Sequence, residues 1–144
     1  MTRIDFYVHA QDKLRTACVL TAKAVAGGHR VFVLTADEAA ASHLDRLLWT
    51  DPAIGFLPHC RAGHRLAAVT PAIVDYRAEP LPRGDVLLNL SGGCPEFFPG
   101  FRRLLEIVGQ DPADIQQGRS RFRHYRGQGY AIETHELHRA AARS

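Results

Sequence analysis

The 144-residue chain has little cysteine, one tryptophan, one methionine and no long apolar run. Its three cysteines, Cys18, Cys60 and Cys94, are an odd number without a CxxC pair. That argues against a disulfide framework and fits reduced thiols in the cytosol. No stretch approaches the ~18–20 apolar residues of a membrane span. The opening MTRIDFYVHAQDK lacks the apolar core and cleavage site of a secretory signal, so a cytoplasmic chain is expected. Neither GxGxxG nor GxxxxGK[ST] occurs, and HAQDKLR after the first strand offers a phosphate no glycine, so no nucleotide cofactor is expected. One local absence stands out: no Asp or Glu lies from Ile115 to Ile132, while Arg119, Arg121, Arg123 and Arg126 all do.

What is present is ordinary for one soluble domain: 46% hydrophobic residues, 23% charged residues and a formal net charge of +3. Such a small excess does not suit a chain-long phosphate track; the acid-free segment points to a local anionic partner. Arg3–Val8 reads as a strand, DKLRTACVLTAKAVAG as a helix closed by Gly27 and Gly28, and His29–Leu34 as a buried strand. TADEAAASHLDRLLW reads as a helix capped by Thr35 or Asp37, with Leu44, Leu47 and Leu48 on one face. TDPAIGFLPHCRAGHR is loop-like, LAAVTPAIVDY gives a strand or two short pieces, and Asp85–Leu90 is strongly strand-like. The spacing of Phe98, Phe101, Leu104, Leu105 and Val108 predicts a helix starting near Pro95. Asp111–Arg126 reads as the last helix, with Pro112 in its first turn, and YAIE as a final short strand. Alternating strands and helices imply an α/β fold with a mostly parallel sheet in three layers, Rossmann-like but without a nucleotide-binding glycine motif. One domain over residues 1–133 and a weakly specified tail over 134–144 are expected.

The candidate chemical sites are thin. LSGGCP lies at a strand's carboxyl end, where α/β ligands often bind, but lacks the lysine and hydroxyl of a phosphate loop. His59, Cys60 and His64 in HCRAGH are too few for a closed zinc site, and HELH is not HExxH. Cys94, at an expected strand-to-helix turn, has no evident base. No catalytic residue and no metal ligand is therefore assigned. The segment RSRFRHYRGQGY carries more. Arg119, Phe122, Arg123 and Arg126 share one helical sector, with Tyr125 beside Phe122. Guanidinium groups next to a ring suit a carboxylate beside an apolar side chain. They equally suit a stacked base with its phosphate, or core rings flanked by solvated arginines.

DFYV near the start, the LDRLLW and FLPH blocks, DVLLNL and the closing RSRFRHYRGQGY, in this order, resemble the chi subunit of bacterial DNA polymerase III over about residues 4–130. The resemblance implies a non-catalytic protein, part of a DNA-directed DNA polymerase holoenzyme. It pairs with a psi subunit that ties it to the clamp loader, and binds the acidic C-terminal tail of single-stranded DNA-binding protein. DNA would then be reached only indirectly; the alternative is direct single-stranded nucleic-acid binding by the patch at 119–126. Carried over residue by residue, Arg119, Phe122, Arg123, Val108 and Trp49 match the tail-binding positions. At Phe122 the family pattern has tyrosine, and Ile115 stands where it has a basic residue. Phe56 matches the psi surface, flanked by Leu57, Pro58 and His59.

Overall fold

The computed structural model describes residues 1–50, 55, 57–77 and 84–137. The chain runs β1 (Arg3–Ala10), α1 (Lys13–Ala26), β2 (Val31–Thr35), α2 (Glu38–Thr50), β3 (His59–Cys60) and β4 (Ala72–Asp75), then β5 (Gly84–Leu90), β6 (Phe101–Gly109), α3 (Pro112–Gly127) and β7 (Ile132–Glu136). The seven strands form one sheet in the order β3-β4-β2-β5-β6-β1-β7. Every pairing in it is parallel. The expected α/β Rossmann-like architecture is what the chain adopts.

Helix boundaries follow local chemistry. The Asp12 carboxylate accepts from the Arg15 N–H, Asp37 from the Ala40 N–H, and Asp111 from the Ala113 and Asp114 N–H groups, each satisfying donors a helix start leaves open. Gly27 closes α1, and Gly28 follows at a φ of 87°, a left-handed conformation that costs glycine little.

Two apolar layers sandwich the sheet. Ala17 and Cys18 of α1 and Leu44 and Leu48 of α2 pack with Val33, Leu88, Leu105 and Ile107 on one face. Tyr125, Ile115 and Phe122 of α3 pack with Ile4, Phe6, Leu87, Leu104 and Val108 on the other. This places α3 opposite α1 and α2, the three-layer arrangement.

The expected helix from Pro95 does not form. Phe98–Gly100 is a single 3-10 turn, and Phe101–Gly109 is β6, a strand in the middle of the sheet. A strand covered on both faces is apolar at nearly every position, so the i, i+3, i+7 pattern of a helix appears in it by default. Thus Leu105 and Ile107 face α1 while Leu104 and Val108 face α3. The connection from β5 to its parallel neighbour β6 runs through residues 91–100 without an α-helix, shorter than the usual crossover. The sheet also passes the expected domain end at residue 133: β7 continues to Glu136, and the rest of the expected tail from residue 138 lies outside the described residues. Among the described residues, no helix is long and apolar enough to cross a membrane.

Candidate functional site

A cleft of about 320 Å³ opens where α3 lies over β6, β1 and β7. Phe6, Val8, Val108, Ile115 and Phe122 make its apolar walls, Arg119 and Arg123 stand over it, and Thr134 of β7 closes one side. Its volume falls at the low end for ligand sites. The sequence-predicted set Arg119, Phe122, Arg123 and Val108 is therefore brought together, although Val108 arrives on a strand rather than a helix. Ile115, Gly118, Arg119 and Phe122 follow the i, i+3, i+4, i+7 spacing that puts residues on one helical face. Arg119 and Arg123 are exposed and Phe122 is half-buried, its ring edge-on to Phe6 at 5.3 Å between centroids. The arrangement offers two guanidinium groups beside a narrow apolar slot. It can hold an anion next to an apolar side chain.

Gly118 sets the width of this slot. A Cβ there would stand 2.6 Å from Val108 Cγ2, so α3 approaches β6 this closely only because residue 118 is glycine. Gly118→Ala is expected to lower the thermal midpoint, because overpacking strain of about 1–3 kcal/mol exceeds the roughly 1 kcal/mol that alanine gains in a helix. The same variant displaces Val108 and weakens any ligand of the cleft. A melting curve and a ligand titration on one preparation check both.

A buried polar network holds α3 in place. The Glu106 carboxylate is fully buried between Leu104 and Val108 on the α3 face of β6. Arg121 Nε donates to its Oε1 at 2.9 Å; Tyr125 Oη and Asn89 Nδ2 donate to its Oε2 at 2.5 and 2.7 Å. Burial pushes the Glu106 carboxyl up, against the opposing pull of Arg121, Tyr125 and Asn89. Burial and the neighbouring Glu106 charge push the Tyr125 hydroxyl up as well, keeping it a donor. Arg121 also donates to the Gly92 carbonyl, and Asn89 Nδ2 to the Gly93 carbonyl. The SGG turn is thus fastened to the network: Asn89 Oδ1 accepts from the Ser91 N–H and hydroxyl, and the glycines bind side chains of the protein itself. Cys94, offered as a nucleophile, precedes no α-helix, and burial pushes its thiol up. Both observations oppose the thiolate that reading requires.

Sequence reasoning missed the join between β1 and β7. The fully buried Asp5 accepts from Arg103 Nε at 2.8 Å and faces His135 Nε2 at 2.9 Å, while Arg3 bonds Glu133 at 2.8 Å. His135 also stacks on Tyr7 at 4.7 Å. Asp5, Glu133 and His135 cluster closely enough to resemble a cation site, but the arginines already supply the positive charge. Burial raises the Asp5 carboxyl, and the bonds from His135 and Arg103 outweigh it, leaving it below its ordinary 3.8. A depressed carboxylate contributes stability fully present above about pH 4 and lost as pH falls below it. Urea midpoints are therefore expected to drop between pH 5 and pH 3, and the drop should be smaller in Asp5→Asn. Equal drops in both chains would contradict this.

The remaining predicted residues lie elsewhere. Trp49 does not join the cleft, because α2 covers the opposite face of the sheet near its other edge. It is 56% exposed in the last turn of α2, its ring 4.3 Å from that of His59. Leu57 and His59, expected on a partner surface, are buried. Leu57 belongs to the core under α2, and His59 is held by ring contacts to the carbonyls of Leu57 at 2.7 Å and Asp45 at 3.1 Å. Pro58 is exposed, and Phe56 lies outside the described residues.

Residues 1–133 match the family model of the DNA polymerase III chi subunit, HolC. The chain is 39% identical to the DNA polymerase III subunit chi of Pseudomonas aeruginosa over 143 residues, covering 96% of this chain and 99% of that one. It is 30% identical to the protein of the same name from Haemophilus influenzae, covering 92% and 96%. For that of Escherichia coli the identity is 29%, covering 81% and 80%.

Proposed function

Starting from the chain's membership of the DNA polymerase III chi subunit family, we propose that it acts as a non-catalytic adaptor of the replication holoenzyme, in the cytoplasm. It binds the acidic C-terminal tail of single-stranded DNA-binding protein in the cleft under α3, and a psi subunit or another clamp-loader component on a separate face. The observation that carries the tail assignment is Arg119 and Arg123 standing over an apolar slot walled by Val108, Ile115 and Phe122. A guanidinium fork takes the terminal carboxylate and the slot takes the last apolar side chain. Acidic residues upstream of that end are drawn by Arg126, on the stretch of α3 beyond Asp114 that carries no acid.

For the second partner, the β3 edge of the sheet is the proposed face. Trp49 and Pro58 are exposed there; Phe56, the sequence-based anchor, lies two positions before Pro58 in the chain and outside the described residues. Leu57 and His59 support this face from beneath. A large aromatic residue standing in solvent is the usual centre of a protein contact.

Direct binding of single-stranded nucleic acid is the competing reading. Base stacking needs rings with a free face, yet Tyr125 is fully buried and Phe122 packs edge-on to Phe6. The deciding experiment immobilises the chain. It then compares retention of intact single-stranded DNA-binding protein, the same protein lacking its last residues, and an oligonucleotide alone. Retention of the intact protein only is expected. Retention of the oligonucleotide alone, or equal retention of the truncated protein, would overturn the proposal.

A further inference from the structure

A bulge in β1 bears on the same cleft. Val8 and His9 together oppose Val108 of β6, since Tyr7 pairs with Ile107 and Ala10 with Gly109. His9 is the one non-glycine residue with positive φ among the described residues, at 65°. Residues in this region cost energy and persist where the surroundings require them, and bulges commonly re-aim a side chain. The parity of β1 shows the re-aiming. Ile4, Phe6 and Val8 face α3, while Tyr7 faces the α1 side. Strict alternation would send His9 to the α1 side and Ala10 to the α3 side. Instead Ala10 is buried in the α1-side core and His9 lines the cleft under α3.

We propose that His9 is a third contact for the anionic end of the cleft's ligand, turned into place by this bulge and facing Arg119 and Arg123 across the slot. This rests on the reading of the cleft as a site for an acidic peptide with a free carboxylate. The charged groups around the rim are Arg119 and Arg123 from α3, the Lys13–Asp114 pair beside Gly109, and Glu136, in register with Val8 on β7. Gln110 Nε2 donates to the His9 carbonyl at 3.3 Å, fixing the bulge from the β6 side. An imidazole gains its charge between about pH 8 and pH 5, the range in which side-chain carboxylates stay ionised. A ligand carboxylate favours the charged ring, so affinity rises as pH falls through this window.

The test titrates a fluorescent acidic peptide ending in an apolar residue with a free carboxylate, at pH 6.0 and pH 8.0. The proteins are the unmodified chain, His9→Asn and Arg119→Ala. Asparagine tolerates positive φ, so the bulge survives while the imidazole is removed. The unmodified chain is expected to bind about twofold to fivefold more tightly at pH 6.0 than at pH 8.0, the size of one exposed ion pair. His9→Asn should bind equally at both. Identical pH profiles for the two, with Arg119→Ala still impaired, would overturn the role of His9 and leave the cleft reading intact. No binding by the unmodified chain, or none lost in Arg119→Ala, would instead overturn the cleft reading and the role of His9 with it.

Discussion

Glu106→Leu is expected to destabilise the fold by about 3–5 kcal/mol, the usual cost of removing one partner from a buried ion pair. The substitution leaves Arg121, a residue only 5% exposed, with its guanidinium facing an apolar side chain. It also takes an acceptor from Tyr125 Oη and from Asn89 Nδ2. Leucine restores volume but satisfies none of these donors, and an orphaned buried donor carries its full desolvation cost. The double variant Glu106→Leu with Arg121→Met removes the charge together with its partner, and should recover much of the loss. Urea denaturation of the two single variants and the double variant gives the coupling directly. A single variant near the unmodified stability would show that the network does not hold α3 to the sheet.

Arg119→Ala is expected to weaken binding of the acidic tail by about 2–5 kcal/mol, at least roughly thirtyfold in Kd, with no change in the melting curve. Arg119 is exposed in the free chain and has no part in the Glu106 network, so its truncation leaves the fold alone. Bound, it would hold a carboxylate at the mouth of an apolar slot, where water is displaced and a charge-assisted bond is worth more than at an open surface. Arg126 lies on the same helix outside the cleft lining. Arg126→Ala should cost no more than about 1 kcal/mol, and that cost should fade with added salt. Equal losses in the two variants would mean a diffuse basic patch rather than a cleft.

Much of this was legible in the sequence because local chemistry and tertiary packing agreed. Pro112 marked a helix start, Asp37 was one of two expected caps for α2, Gly27 and Gly28 marked a helix end, and β2 and β5 were short apolar runs bounded by turn residues. The cleft's α3 side followed from helical spacing, which set Arg119 and Phe122 on one face. The element at 101–109 was misread because burial on both faces erases the alternation that identifies a strand. Helical spacing left Arg121 out of the Arg119 sector, but it did not show that Arg121 is core. The signal was a lone Glu106 inside the apolar run LLEIV, an acid with no reason to be there unless a cation met it. Trp49, carried over from the family resemblance, does not line the cleft, because matching residues in sequence order does not say which face of the sheet a helix covers. The bulge at His9 left no trace in composition or period, since a one-residue change of register depends on the partner strand. His135 fell in the weakly specified tail of the sequence reading, whereas β7 extends past residue 133 and carries it to Asp5.

The most direct measurement of the central claim compares two peptides of one acidic sequence on the unmodified chain, one with a free C-terminal carboxylate and one with a C-terminal amide. Both keep every acidic side chain, so a general attraction to the basic helix treats them nearly alike. The cleft account predicts that the free carboxylate binds and that the amide loses about tenfold or more in affinity, as expected for one charge-assisted contact. Equal affinity of the two peptides would contradict it.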